Sequence, residues 1–164
     1  MKETLQCNYY GTLEATHDLL PLIKPGGRIV NVASMAGSLS KYSSSIKSQF
    51  LSSKTVSEVT SLMESFKSAV SKGKEKEEGW PSAAYAVSKS GVIGMTRAVA
   101  EEVKKEGNGV LVNSCCPGYV KTDMTRGGGV KTVDEGAKTP VLLALGDIGG
   151  KTGLFWKNEN PMEW

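Results

Sequence analysis

The sequence predicts an α/β fold built on a parallel sheet, and three stretches of the chain support this prediction. Residues 28–33 are a β-branched run after a glycine turn, which is typical of a strand. Residues 82–106 have the spacing of a long helix that opens with Pro-Ser, and residues 109–115 are a second apolar strand. A strand, a helix and a strand in this order predict a parallel α/β unit.

Helices are also predicted on both sides of this unit. Residues 1–23 carry an approximate helical stripe of apolar side chains that stops at a Pro-Gly-Gly turn. Thr132–Glu135 is a capping box that starts a helix reaching about residue 145. Residues 153–156 are a candidate for a final short strand.

Residues 40–79 differ in character from the rest of the chain. The stretch is dense in serine, and Thr55-Val56-Ser57-Glu58 then forms a capping box. Apolar residues at three- and four-residue spacing follow the box and predict an amphipathic helix. A mixed charge run over residues 74–78 is typical of a solvated loop. We interpret residues 40–79 as an insertion with its own helix, docked on the body of the domain.

Composition and charge argue against several classes of protein. The net charge is only +3, and the basic residues are interspersed with acids, so we expect no nucleic-acid partner. Three cysteines form no disulfide framework, and we expect Cys115 and Cys116 to pack at a strand end rather than to sense redox state. No metal site, signal peptide or membrane span is indicated, so we expect a cytoplasmic protein without a membrane partner.

Candidate catalytic chemistry lies near the start of the long helix. Tyr85 and Lys89 are four residues apart, so they share one face of a helix. A lysine ammonium beside a phenol favours the phenolate and lowers the tyrosine pKa from its usual value of about 10. Tyr85 is therefore a candidate general acid or base. Taken alone, the motif is better explained as an ordinary pair on a helix surface, so its interpretation depends on other motifs.

The two predicted strands are each followed by polar residues. Ser34 lies at the end of the first strand, and ligands of open α/β sheets bind just beyond the carboxyl ends of strands. On its own, Ser34 is better explained as a turn residue. Pro117-Gly118 forces a turn after the second strand, and Thr122 offers a hydroxyl there.

Together these motifs resemble the short-chain dehydrogenase/reductase family. The resemblance is carried by Asn8 in the first helix, Ser34 after a strand, Tyr85 and Lys89 on a helix, and Pro117-Gly118-x-Val120-x-Thr122 after the next strand. Within the family the chain is similar to the monomeric carbonyl reductases. That similarity lies in the blocks 20–25, 78–82 and 115–118 and in the long spacing from Ser34 to Tyr85, which holds the insertion. In similar proteins the insertion covers the surface through which relatives dimerise, which implies a monomer.

The resemblance implies a partial Rossmann-like fold with a doubly wound parallel sheet. Residues 1–164 would be the C-terminal catalytic portion of one such domain, with the insertion at 40–79 between the catalytic serine and tyrosine. The family's glycine-rich turn, which cradles the cofactor pyrophosphate, has no counterpart in the sequence. We therefore expect the N-terminal cofactor-binding part of the family domain to be absent.

The activity that the resemblance implies is NADPH-dependent reduction of ketones, aldehydes or quinones to alcohols. Tyr85 would protonate the carbonyl oxygen, and Ser34 would hydrogen-bond the same oxygen. Lys89 would assist Tyr85 and hold the nicotinamide ribose, and Asn8 would fix a water that connects Lys89 to solvent. Further expected contacts are Pro117, Gly118, Val120 and Thr122 with the cofactor, besides Tyr85 and Lys89, and Met35 and Tyr119 with the small-molecule substrate.

Two functions therefore remain open for this chain. The first is a carbonyl reductase, assigned by descent, with the preference for NADPH over NADH resting on the resemblance alone. The second is a non-catalytic fragment that cannot bind cofactor and acts at most as a partner-binding module. Loss of the pyrophosphate contacts at a helix N-terminus, and an open sheet edge, favour the second for the isolated chain.

Overall fold

A four-stranded sheet lies at the centre of the computed structural model, which describes residues 2–164. Strands β1 (Arg28–Val32), β2 (Leu111–Cys116) and β3 (Phe155–Lys157) are parallel neighbours, and β4 (Asn160–Met162) pairs antiparallel with β3. The predicted α/β class with a parallel sheet is therefore confirmed.

The predicted N-terminal helix is present from residue 2 to residue 22, while Met1 lies outside the described residues. Two α-helical stretches, α1 (Lys2–Leu5) and α2 (Gly11–Leu19), flank a π-helical segment over Gln6–Tyr10. A 3-10 turn over Leu20–Leu22 ends the stretch. The π-helical segment was not predicted, because the extra residue per turn leaves the apolar stripe only approximate.

The stretch predicted as a helical insertion holds two helices, α3 (Ser44–Ser52) and α4 (Val56–Ser71), where the sequence indicated one. The capping box of α4 is confirmed: the Glu58 amide donates to Thr55 Oγ1 at 3.3 Å, and the Thr55 amide donates to a Glu58 carboxylate oxygen at 3.0 Å. Helix α3 starts because Ser43 Oγ accepts from the Ile46 amide at 3.3 Å. It is held in place because it buries Ile46 and Phe50.

The predicted long helix is α5 (Ala84–Glu106), which lies between the sheet and α4. Gly107 ends it with a left-handed backbone (φ +69°), which glycine adopts without a Cβ clash. At Gly91 a Cβ would lie 2.7 Å from Met63 Sδ and 2.7 Å from the Tyr9 ring, so a side chain there has no room. The predicted packing face is buried throughout and consists of Val87, Gly91, Gly94, Met95, Ala98 and Val99.

The opposite face of the sheet is covered by α6 (Val133–Leu145), which contacts β1 and β2. Its predicted capping box is present, with the Glu135 amide donating to Thr132 Oγ1 at 3.2 Å. Leu143 is buried against Cys115 and Trp156. Helices on both faces of a parallel sheet give the layered arrangement of a doubly wound fold.

The final strand was predicted over 153–156 and is found over Phe155–Lys157, while β4 was not predicted. Asn158 and Glu159, between β3 and β4, both have positive φ (49° and 59°), which is typical of a tight hairpin turn. This turn was not predicted because neither residue is glycine.

Two negative findings hold for the described residues 2–164. No helix among them is long and apolar enough to cross a membrane. Nor do they contain a group of three or more His, Cys, Asp or Glu side chains arranged to hold a metal ion.

Candidate active site

The polar residues that follow β1 and β2 leave the sheet at the same edge. Val32 and Cys115 are register partners in the parallel pair β1–β2. Ser34 and Pro117 each lie two residues beyond this pair, and the Ala33 amide still donates to the Cys115 carbonyl at 2.7 Å. The carboxyl edge of the sheet therefore brings the two predicted loops side by side, where α/β proteins bind their ligands.

Ser34 is both a turn residue and a residue of this edge. Its Oγ accepts from the Ala36 amide at 3.1 Å, and its carbonyl accepts from the Gly37 amide at 2.9 Å. These bonds form a short 3-10 turn over Met35–Gly37. Ser34 remains partly exposed, and its Oγ–H is free to donate because the Ala36 bond uses only a lone pair.

Tyr85 and Lys89 are neighbours in the first turns of α5. The Lys89 Nζ lies 5.8 Å from the centre of the Tyr85 ring, within the range of a cation–π contact. Tyr85 is 45% exposed, so its phenol is open to a ligand. Lys89 Nζ donates to the Val32 carbonyl at 2.9 Å, which ties the start of α5 to the end of β1.

The environment of Lys89 weakens its hold on its proton. Burial lowers the pKa of the Lys89 ammonium from its ordinary value of 10.5, and the neighbouring thiols of Cys7, Cys116 and Cys115 partly oppose this shift. An ammonium has three donors, and the Val32 carbonyl takes one of them. Two donors therefore remain for hydroxyls of a ligand.

Asn8 lies in the π-helical segment and points at α5. Its Nδ2 donates to Ser88 Oγ at 3.1 Å, and Ser88 Oγ donates to the Tyr85 carbonyl at 2.7 Å. The serine has one proton, so its bond to the carbonyl requires that Asn8 be the donor in the first bond. π-helical segments occur frequently at functional sites, and this one holds Asn8 beside the turn of α5 that carries Tyr85.

The loop after β2 is folded back on itself. Gly118 has a φ of +94°, and the Val130 and Lys131 amides both donate to the Tyr119 carbonyl, at 2.8 and 3.0 Å. The Lys121 amide donates to the Lys131 carbonyl at 2.9 Å, next to a bridge between Val120 and Lys131. These bonds hold the predicted cofactor loop, Pro117 to Thr122, as an ordered strip, with Thr122 exposed.

The two residues predicted to line the substrate side lie in different environments. Tyr119 is 55% exposed, which leaves its side chain accessible to a ligand. Met35 is partly buried and packs against a core cluster that includes Ala33 and Phe155. Met35 is the first residue of the turn that Ser34 caps, and only part of its side chain is accessible.

Neither of two surface clefts, of about 320 and 350 Å³, is lined by Ser34, Tyr85 or Lys89. The first lies between α6 and the β3–β4 hairpin, and the second lies between Arg97 and Trp164. The candidate catalytic residues instead stand on an open edge of the described chain.

Four residues that support the site were not predicted from the sequence: Gly37, Ser88, Ser90 and Trp164. Ser88 and Ser90 flank Lys89 and are buried in α5. Serine is uncommon at buried helix positions, so these two serines could have been recognised as candidates from the predicted packing of the helix. The Trp164 indole N–H donates to the Gly37 carbonyl at 2.8 Å. These two residues are far apart in the chain, and no local sequence pattern indicates their contact.

The site thus combines a phenol, an ammonium and a hydroxyl at the carboxyl edge of a parallel sheet. Residues 68–129 match the family model described as short chain dehydrogenase. By this match and the relatives below, the chain is similar to proteins of the short-chain dehydrogenase/reductase family.

Individual relatives match almost the whole chain. It is similar to carbonyl reductase (NADPH) 1 of Macaca fascicularis, at 40% identity over 168 residues that cover 98% of this chain and 61% of the relative. Carbonyl reductase (NADPH) 3 of Rattus norvegicus is 42% identical over 147 residues, covering 87% and 53%. The structure of salutaridine reductase from Papaver somniferum has a TM-score of 0.84 and 33% identity over 94% of this chain and 54% of that one. The chain thus spans about three-fifths or less of the length of these relatives.

Proposed function

We propose that the chain carries the catalytic residues of an NADPH-dependent carbonyl reductase, which reduces ketones, aldehydes or quinones to alcohols. The observation that carries this proposal is the hydrogen bond from Lys89 Nζ to the Val32 carbonyl at the end of β1, which holds Tyr85 and Ser34 at one edge of the sheet. The names of the carbonyl reductase relatives support NADPH as the cofactor. Because the chain spans only part of their length, their activity is a proposal for this chain.

The side chains at the edge suit the nicotinamide end of such a cofactor. Lys89 has two donors left after its bond to Val32, which matches a pair of ribose hydroxyls. The exposed Thr122 and the ordered backbone from Pro117 to Val120 offer further polar contacts. When bound, the cofactor supplies the hydride. No glycine-rich turn of the family type occurs in the sequence to hold its pyrophosphate.

Tyr85 and its neighbours carry out the proton transfer to the substrate. Tyr85 donates its phenolic proton to the carbonyl oxygen of the substrate, on which negative charge develops. Ser34 donates a hydrogen bond to the same oxygen and stabilises that charge. The Lys89 ammonium, 5.8 Å from the phenol ring, stabilises the phenolate that proton donation leaves behind. Asn8, fixed to Ser88, keeps the backbone carbonyl of Tyr85 in place.

A second function, a partner-binding fragment without catalysis, is supported by the free edge of β1. Within the described residues β1 pairs with β2 alone, and Val32 on that strand is 49% exposed. An open strand edge can accept another strand. The partner-binding function requires no cofactor, whereas the reductase must bind NADPH, so a binding measurement distinguishes the two.

NADPH binding and oxidation by the purified chain, with Tyr85→Phe in parallel, test the proposal. We expect saturable binding of NADPH in both proteins and oxidation of NADPH with a ketone such as menthone only in the wild type. The phenylalanine variant keeps the ring and removes the proton donor, so binding is the control for its folding. A folded chain that binds no NADPH would refute the reductase and leave the partner-binding function.

A further inference from the structure

We infer that Trp164 is a positioning residue that sets the place of Ser34 relative to Tyr85 and Lys89, an inference that rests on the proposed function. The Trp164 indole N–H donates to the Gly37 carbonyl at 2.8 Å, across 127 residues of sequence. Gly37 closes the turn that begins at Ser34. Trp164 therefore reaches the catalytic turn from the side of the hairpin β3–β4.

Gly37 is pressed against the backbone of α5 at the catalytic lysine. A Cβ at Gly37 would lie 2.7 Å from the Lys89 carbonyl carbon and 2.7 Å from the Ser90 amide nitrogen. Ser90 Oγ also donates to the Gly37 carbonyl, at 2.9 Å. The Gly37 carbonyl thus accepts two side-chain hydrogen bonds, one from α5 and one from Trp164.

The donor on the α5 side is itself fixed. Ser90 gives its single proton to carbonyl oxygens, so the Tyr42 hydroxyl, 2.6 Å away, must donate to Ser90 Oγ. Tyr42 is buried, and desolvation raises its pKa to about 12, so it keeps this proton at neutral pH. A continuous chain of hydrogen bonds therefore runs from Tyr42 through Ser90 and Gly37 to Trp164.

The Trp164 ring is clamped from several sides, so its N–H has little freedom. It lies against Gly94, where a Cβ would be 3.1 Å from the ring, and edge-to-face against Phe50 at 5.4 Å between centres. The Arg97 guanidinium carbon stands 5.3 Å from the ring centre. Aromatic and cation–π contacts of this kind hold a ring in one orientation. A fixed donor, acting on a carbonyl three residues after Ser34, limits where that serine can move.

The structure supplies a matched control in Trp80. Its indole nitrogen is buried and has no hydrogen-bond partner among the described residues. Trp164→Phe and Trp80→Phe make the same chemical change, an indole replaced by a phenyl ring in an aromatic cluster. Only the first removes a hydrogen bond, so a difference between the two variants reports the Gly37 contact.

Hydrogen exchange and kinetics on the full chain test the inference together. In Trp164→Phe we expect the amides of Gly37 and Ser38 to exchange roughly tenfold faster than in Trp80→Phe, because their turn has lost its anchor. We expect kcat for menthone to fall by about three- to tenfold with the KM for NADPH unchanged, because only the reaction geometry is disturbed.

The outcomes separate this inference from the proposed function. If the wild type oxidises no NADPH, the proposed function fails, and the exchange comparison alone still decides the anchoring of the turn. Equal exchange in the two variants, or faster exchange with an unchanged kcat in an active protein, overturns the inference. If Trp164→Phe does not fold, Ser90→Ala removes the other donor to Gly37, and the same two results are expected of it.

Discussion

Gly37→Ala is the substitution that most directly perturbs the contact between the Ser34 turn and α5. The new Cβ would lie 2.7 Å from two backbone atoms of Lys89 and Ser90, where about 3.5–4.0 Å is the comfortable separation. The long buried helix is the more rigid partner, so the turn must retreat by about 1 Å. The two bonds to the Gly37 carbonyl, now 2.8 and 2.9 Å, would then stretch to about 3.8 Å and be lost.

The loss of stability in Gly37→Ala is the sum of the overpacking cost and the cost of the two lost hydrogen bonds. Forced overpacking costs about 1–3 kcal/mol, and each lost hydrogen bond costs about 0.5–1.5 kcal/mol. We therefore expect the free energy of unfolding, measured with urea, to fall by about 2–6 kcal/mol in Gly37→Ala. We also expect any NADPH oxidation to fall by about a hundredfold, because displacements near 1 Å have this effect on catalysis.

Gly11→Ala is the control for Gly37→Ala. Gly11 has helical backbone angles, and its added Cβ would meet only the Gln6 carbonyl oxygen at 3.4 Å, an ordinary contact. We expect this variant to match the wild type or to gain up to about 1 kcal/mol from its better helix propensity. Gly37→Ala with wild-type stability would refute the claim that the turn is pressed on α5.

Two further predictions concern pH. Tyr9 is buried with a pKa raised to about 12, so between pH 10 and 12 the folded state holds a proton that the unfolded chain has lost, and stability falls as pH rises through this range. Between pH 9 and pH 11 the free energy of unfolding, measured with urea, should therefore fall by about 1 kcal/mol more in the wild type than in Tyr9→Phe. An equal fall in both proteins would contradict the role of Tyr9. Because burial lowers the pKa of Lys89, its ammonium loses its charge at a pH below 10.5, the ordinary lysine value. NADPH affinity should therefore already decline as the pH rises towards that value. In Lys89→Arg, whose guanidinium stays charged, a fluorescence titration should show no such decline, and an unchanged decline would exclude Lys89 as its source.

The parts of the fold that the sequence predicts are those with strong local patterns. The β-branched run of β1, the capping boxes at Thr55 and Thr132 and the apolar face of α5 each depend on neighbours in sequence, and each is found in the structure. Helix α3 was not predicted because its serines are weak helix formers, and tertiary burial of Ile46 and Phe50 decides its structure.

The candidate site shows the same division. Tyr85 and Lys89 share a helix face, so their proximity follows from spacing alone, and the catalytic roles assigned to them stay predictions. The bonds from Lys89 to Val32 and from Trp164 to Gly37 join residues 57 and 127 positions apart. Contacts of this kind depend on how the elements pack, and no period or motif in the sequence specifies them.

Transfer of deuterium from NADPH labelled at nicotinamide C4 to a ketone is the measurement that tests the central claim most directly. The labelled cofactor and menthone are incubated with the wild type and with Tyr85→Phe, and the alcohol is analysed by mass spectrometry. If the chain is a carbonyl reductase, the wild type yields alcohol with deuterium on the carbinol carbon, and Tyr85→Phe yields little or none. Labelled alcohol at equal rates from both proteins would show that Tyr85 is not the proton donor. No alcohol from a folded wild-type chain would show that this chain alone is not a reductase.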